Sequence, residues 1–472
     1  MILEENTQLI QEQKDFKSFD DILKEKIGFG KFQIQTMFII TFIDFIDGAE
    51  LNFLSISLQI LKIEWNLESR QVEILSSSYY IGLVIGCIFS GYFCDFFGRK
   101  CSMQIGNLLQ LFTIIWTVFV QDFYSFACIR ILLGFSIGLT LIISGILSSE
   151  ISSKHLRGRK IAILGGCIGL GKIYLLFISS FFLDDLSKGN WRAIVICQAV
   201  LLLILNILNF LILEESARLL VSQNKLEEAV KILNKMGKMN KKEEYIPINE
   251  QERNQLQNWR DYKFKQKINF KQQFKEIFLQ EKYKNVTWRL LFGFTTQNFI
   301  YSSLMIILPF VLHQGGFGVF DLLIIDISEI PASIFCFFII DLKSIGRVKI
   351  INSMLVLLII LSVSVYFFWM NFIIVGSFFI NFCMKTYNIC LCTILYESYG
   401  TQHRALGSSI NVAFGRFAGV FGPFIIYKIF LYAQQLTYIT FSLVFFITFL
   451  IFLYFPIEKS NVNLDSSESS VL

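Results

Sequence analysis

The sequence predicts an all-α integral membrane protein of twelve transmembrane helices in two six-helix bundles, and three observations carry that expectation. Hydrophobic residues fill 54% of 472 positions while charged residues supply only 17%, and the mean hydropathy is +0.57. A soluble domain carries about 25% charge, so the bilayer is the natural solvent for this chain. About twelve apolar runs recur, each near the roughly 20 residues that a helix needs to cross a hydrocarbon core of about 30 Å. Finally, a stretch dense in Lys, Glu, Gln and Asn between about 214 and 287 separates six runs from six.

The runs fall near 36–60, 73–94, 101–121, 124–147, 162–183, 191–213, 288–312, 320–341, 349–370, 372–396, 406–430 and 434–456. The resulting organisation is an N-terminal segment (1–35), a first bundle (36–213), a linker (214–287), a second bundle (288–456) and a tail (457–472). The first thirty residues are polar and hold no apolar core of a signal peptide, so the first span is expected to direct insertion. Alternate loops carry the bases: Arg99 and Lys100, then Lys154, Arg157, Arg159 and Lys160, then the linker, then Arg347 and Lys349, then Arg404. Intervening loops, such as that with Asp184 and Asp185, are poor in base, which places the basic set and both termini in the cytoplasm. Plasma and vesicle membranes both remain open. Within the linker, Leu226, Val230 and Leu233 have helical spacing, expected either as a short amphipathic helix on the membrane face or as a solvated linker. The sequon Asn285-Val-Thr287 falls on the cytoplasmic side and should stay unmodified.

Ten cysteines lie in or beside the apolar runs without metal-ligand spacing, and Cys390-Leu-Cys392 is too tight for a zinc knuckle. They read as small, reduced core residues. The three histidines, His155, His313 and His403, sit near loops and do not cluster. No catalytic constellation, metal site, cofactor or nucleic-acid surface is indicated. The expected partners are the bilayer, a small-molecule substrate and protons, and the chain is expected to be a monomer.

The most informative motif is Gly91-Tyr-Phe-Cys-Asp95-Phe-Phe-Gly98-Arg99-Lys100, a charged turn between two apolar runs. Its glycines permit close helix approach and a tight turn, and Asp95 can accept charge-assisted hydrogen bonds from neighbouring bases. This loop resembles the GxxxDxxGRK signature of the major facilitator superfamily. Arg130-Ile-Leu-Leu-Gly134-Phe-Ser-Ile-Gly138 resembles its RxxxGxxxG pattern, where small residues four apart let helices pack closely. Glu150 with Arg157-Gly158, Trp191-Arg192, and Glu215-Ser-Ala-Arg-Leu-Leu220 are similar to sugar-porter elements, although Glu214 and Ala217 replace both prolines of PESPRWL. Tyr396-Glu397-Ser-Tyr-Gly400-Thr-Gln-His-Arg404-Ala-Leu-Gly407 resembles the equivalent signature of the second half, with Gly400 in place of proline. Gly415-Arg416, Gly419 and Gly422-Pro423 resemble the synaptic-vesicle-protein-related and organic-ion branches, as do Gly28-Phe-Gly30 and Glu329-Ile-Pro331. Asp341-Leu-Lys-Ser-Ile-Gly346-Arg347 is a second latch loop with two extra residues, which puts Lys343 at the acid position. The resemblance implies an inside latch formed by Gly91, Asp95, Gly98, Arg99, Glu150, Arg157, Glu397 and Arg404.

A charge at mid-bilayer costs about 2.5–3.5 kcal/mol on insertion scales, so each one is expected to face a cavity, a partner or an ion path. Asp44, Asp47 and Glu50 are three apart on the first span and share a face. Asp47-Gly-Ala-Glu50 resembles the DGxD element of aromatic-acid/proton symporters. Carboxyls crowded together away from water are what a carrier needs to load and release a proton, with plain helix-to-helix hydrogen bonding as the alternative. Asp326 and Glu329 precede Pro331, which permits a bend in the eighth span. Lys172, Lys385 and Arg416 oppose these acids, either as ligands for a carboxylate or phosphate or as internal ion-pair partners. By resemblance, arginine at the Arg416 position tilts the substrate toward anions. Tyr301, Tyr387 and Trp369 either shape a pocket or pack. The function so expected is transport of a small organic ion by alternating access, with Asp47, Glu50, Lys172, Glu329, Lys385 and Arg416 meeting substrate or proton. A sugar, polyol or phosphate porter and a non-transporting receptor are the rivals.

Overall fold

The computed structural model describes residues 19–151, 157–185, 188–241, 245–263, 270–342, 346–399 and 401–455. Spans 1 to 6 are Lys31–Glu64, Ser69–Phe96, Arg99–Val118, Phe123–Glu150, Arg157–Phe182 and Trp191–Ile212. Span 7 is Glu281–Gln314, and span 8 runs through Val319–Ile327 and Glu329–Ile339. Spans 9 and 10, Arg347–Trp369 and Phe372–Ser398, meet at a reversal where Trp369 has φ 32°. Spans 11 and 12 are Thr401–Tyr432 and Leu436–Leu453. Eleven of these are apolar and long enough to cross a bilayer. Span 1 differs in composition because Asp44, Asp47 and Glu50 occupy its middle, each at most 2% exposed.

The pattern of a soluble protein is inverted here. Phe177, Phe181, Leu211, Phe338 and Phe367 are exposed, whereas Ser76, Ser77, Asn107, Gln110, Thr140 and Ser144 are buried. Lipid is as apolar as leucine and gives helices no hydrophobic reason to associate, so close contact must come from small residues. A Cβ on Gly134 would stand 2.2 Å from the Tyr79 carbonyl oxygen, and one on Gly82 2.0 Å from that of Ile131, which locks spans 2 and 4 together. Gly171 and Gly48 join spans 5 and 1 in the same way, against Phe45 and Ile168.

In two spans a proline withholds a backbone donor. Span 8 is interrupted at Ser328, because Pro331 has no N–H for the carbonyl one turn back. In span 7, Pro309 frees the Met305 carbonyl, and the Ser55 hydroxyl of span 1 donates to it.

The basic loops share one end of the molecule with the linker. There Leu226–Lys241 forms a helix that packs its apolar face not on lipid but on the N-terminal segment. Ala229, Leu233 and Met236 join Phe19, Ile22, Leu23 and Ile27 with Leu220, Val221 and Trp259 in a small separate core. Asn240 closes the contact, donating to the Ile27 and Gly28 carbonyls at 3.3 and 3.2 Å. The apolar stripe was legible; its partner lay some 200 residues away in sequence.

Candidate functional site

A cavity of about 110 Å³ lies between spans 1, 4 and 5 of the first half and spans 7, 10 and 11 of the second. Asp44, Ser144, Lys385, Arg416 and the amides Gln297, Asn298 and Asn388 line it. That is about three-quarters of the ~150 Å³ cavity that admits benzene. Asp44 accepts from the Ser144 hydroxyl at 3.2 Å. Arg416 is half-buried; its Nε has no hydrogen-bond partner, and none of the ion pairs among the described residues uses its guanidinium. Tyr396 closes the cavity toward the basic end, its ring so near span 4 that a Cβ on Gly145 would meet it at 2.3 Å.

Above the cavity, away from the basic end, a buried polar layer joins the halves. Glu329 of span 8 accepts from Lys172 of span 5 and, at 2.7 Å, from Lys385 of span 10. Lys172 also sits 4.8 Å from the centre of the Tyr301 ring. Asp326 accepts from Asn52 of span 1 at 2.6 Å and from Asn381 at 3.3 Å. Lys385 therefore belongs to both the layer and the cavity wall.

Asp47 and Glu50, the other acids in the middle of span 1, do not line the cavity. Glu50 accepts from Arg130 at 3.0 Å, whose guanidinium lies 4.8 and 4.6 Å from the ring centres of Phe53 and Phe126. Asp47 accepts from Gln110 at 2.9 Å through one oxygen; its other oxygen is buried without a partner. Of the six residues expected at the substrate or proton site, Lys385 and Arg416 line the cavity, Lys172 and Glu329 form the polar layer above it, and Asp47 and Glu50 pair with Gln110 and Arg130 outside its lining. Tyr387 instead donates to the Gly293 carbonyl at 3.1 Å, and Trp369 packs on Tyr438 at the far reversal, so neither reaches the cavity. Asn388 and Ser144 escaped sequence reasoning because a neutral polar residue in a span carries a much weaker signal than a charge. Arg130 was readable by the cost rule that marked Lys172, but its motif drew attention to the glycines.

The latch is built from backbone upward. Gly98, with φ +91°, turns the chain so that the first amides of span 3 point at Glu215, whose carboxylate accepts from Arg99 N–H at 2.8 Å and Lys100 N–H at 3.2 Å. An acid at a helix N-terminus satisfies orphan donors and the helix dipole together. The Arg99 side chain donates to Asp95 at 2.9 Å and Glu150 at 3.3 Å. Gly91 brings span 2 against Ser409 of span 11, 2.7 Å from a Cβ. In the second half Arg347 donates to Asp341 at 3.2 Å and to both oxygens of Glu397. Asp341, Arg347 and Glu397 thus repeat the pairing of Asp95, Arg99 and Glu150. Glu150 also feels the charges of Arg404 and Arg218. Lys343, Gly400 and the Arg157 side chain lie outside the described residues.

Asp341→Asn and Asp95→Asn are each expected to slow initial uptake into proteoliposomes about 10-fold, since each removes a charged hydrogen bond worth about 1.5–3 kcal/mol. A D341N rate equal to that of the unaltered protein would show the second latch idle.

Twelve spans in two halves around an internal polar cavity, with paired charged clusters at one end, define a multi-pass membrane carrier. The chain belongs to the Major Facilitator Superfamily, whose family model matches residues 37–423. The Synaptic vesicle 2-related protein of Bos taurus is 31% identical over 216 residues, and the match covers 46% of this chain but only 38% of that relative. The niacin transporter NiaP of Acinetobacter baylyi is 21% identical over 410 residues, covering 85% of this chain and 88% of its own. Among solved structures, the proton:xylose symporter XylE of E. coli superposes with a TM-score of 0.78 at 17% identity, over 93% of this chain and 98% of that one. That likeness concerns the fold alone.

Proposed function

We propose that this transporter carries a small organic anion by alternating access, in symport with a proton. The observation that carries the reading is Arg416, a guanidinium on the cavity wall without an ion-pair partner, beside Lys385. A bidentate carboxylate suits such a group. Asp47, with one orphaned oxygen near that charge, is the proton carrier, and Asp44 its neighbour on the cavity wall. The basic end faces the cytoplasm together with both termini, and the latches close that side.

Three amides on the wall favour a second reading, a sugar or polyol, whose hydroxyls need donors and acceptors in equal measure. Uptake into proteoliposomes of labelled nicotinate, benzoate and lactate, against choline and xylose, separates the two. Anion uptake that rises with an inward proton gradient and loses this dependence in Asp47→Asn, while exchange persists, is the expected result. Xylose uptake without anion uptake, or binding without any flux, rejects the proposal.

A further inference from the structure

The helix Phe270–Leu279, between the linker and span 7, presents two unlike faces. One is spent on the protein. Ile277 is fully buried, its carbonyl accepts from the Thr287 hydroxyl at 3.2 Å, and Glu276 pairs with His403 of span 11 at 2.7 Å. Among the described residues, the other face has no protein partner that would explain it. At 100° per residue, Phe274, Phe278, Lys271, Lys275 and Leu279 lie within about 140° of one another. Phe274 is 45% and Leu279 62% exposed, and both lysines are exposed.

The surroundings say what covers this face. Phe274 packs at a tilt against Phe278 with ring centres 4.7 Å apart, and Phe278 meets Trp288 edge-on at 5.6 Å. Trp288 is 53% exposed on the outer side of span 7, at the level where spans enter the lipid and tryptophan gathers at headgroup depth. The aromatic row therefore leads from the lipid-facing wall of span 7 along the helix. Apolar rings beside two ammonium groups, with the neighbouring acid Glu276 turned away onto His403, match an interface in which acyl chains begin just below negative phosphates. A soluble acidic protein would satisfy the lysines but not the row of rings that is continuous with the membrane wall.

We infer that Phe270–Leu279 is an anionic-lipid docking helix, seated on negatively charged phospholipid headgroups at the basic end of the molecule and tied through Glu276 to the foot of span 11, one residue from Arg404. A leaflet rich in such lipids would hold this foot in place.

Amide exchange of the 270–279 segment, followed by mass spectrometry on the whole chain in nanodiscs, tests this. Each lysine near an anionic surface contributes on the order of a 5-fold preference, so phosphatidylcholine discs with about 30% phosphatidylglycerol should slow exchange at least about 10-fold relative to phosphatidylcholine alone. The difference should shrink in high salt and largely disappear in Lys271→Gln/Lys275→Gln, whose melting temperature should match that of the unaltered protein. Equal exchange in the two lipids overturns the inference. So does equal protection by inorganic phosphate in phosphatidylcholine discs, which would mark a soluble-anion site instead. Should the double variant fold poorly, the salt titration on the unaltered chain decides: protection that persists in high salt is not electrostatic docking.

Discussion

Replacing Arg416 by alanine is expected to lower the uptake efficiency for an organic anion on the order of 100-fold or more while leaving the protein folded. The side chain is half-buried on the cavity wall and supports no ion pair, so its loss strands no partner. What disappears is the group that would bind substrate. Two charge-assisted hydrogen bonds contribute about 3 kcal/mol or more, and every 1.4 kcal/mol is tenfold in affinity. Arg416→Lys keeps the charge but not the fork, and should recover only part of the activity. Calorimetric titration of nicotinate beside the flux assay locates the defect: affinity and flux should fall together. Uptake by R416A within twofold of the unaltered protein would place the anion elsewhere, and xylose uptake undiminished by the change would favour the polyol reading.

The second large effect is expected at Glu329. This carboxylate lies 2% exposed between Lys172 and Lys385, themselves 0% and 9% exposed. Glu329→Gln leaves two ammonium groups in the polar layer with a neutral amide between them, and stranding buried charges in this way costs about 3–5 kcal/mol. Lys172 is on the first half and Glu329 on the second, so this cost weighs on states in which the halves touch above the cavity. E329Q should melt several degrees lower in detergent, and its far side should open to membrane-impermeant reagents. Lys172→Met together with Glu329→Gln removes the charge across the interface and leaves Lys385 at the cavity wall. That double variant should regain most of the lost stability. A double variant as unstable as the single would mean that Glu329 serves local packing and not the cross-half pair.

These two residues also show how far reading a chain in order can go. Both were visible at once, because a charge in the middle of an apolar run needs a reason. What stayed hidden was which reason applied. Lys172 and Lys385 proved to be ion-pair partners of one glutamate, Arg416 proved to be unpaired, and nothing in the spacing of positions 172, 329, 385 and 416 distinguishes those fates. The second latch teaches the same lesson from the other side. Two inserted residues spoiled its motif, yet Asp341 still reaches Arg347, a contact that spacing alone does not reveal.

Composition and periodicity were sufficient for the architecture. Twelve apolar runs, a polar interval after the sixth and charged turns at one end leave a chain in lipid few alternatives, since backbone polar groups must pair within each span. Contacts between spans are another matter. Lipid supplies no general force for choosing partners, so those contacts depend on individual close fits: Gly134 under the Tyr79 carbonyl, Ser55 at the carbonyl freed by Pro309, Glu329 between two lysines. Each fit joins residues tens to hundreds of positions apart. It becomes visible only when the helices are side by side, and the cavity that holds Arg416 exists only there.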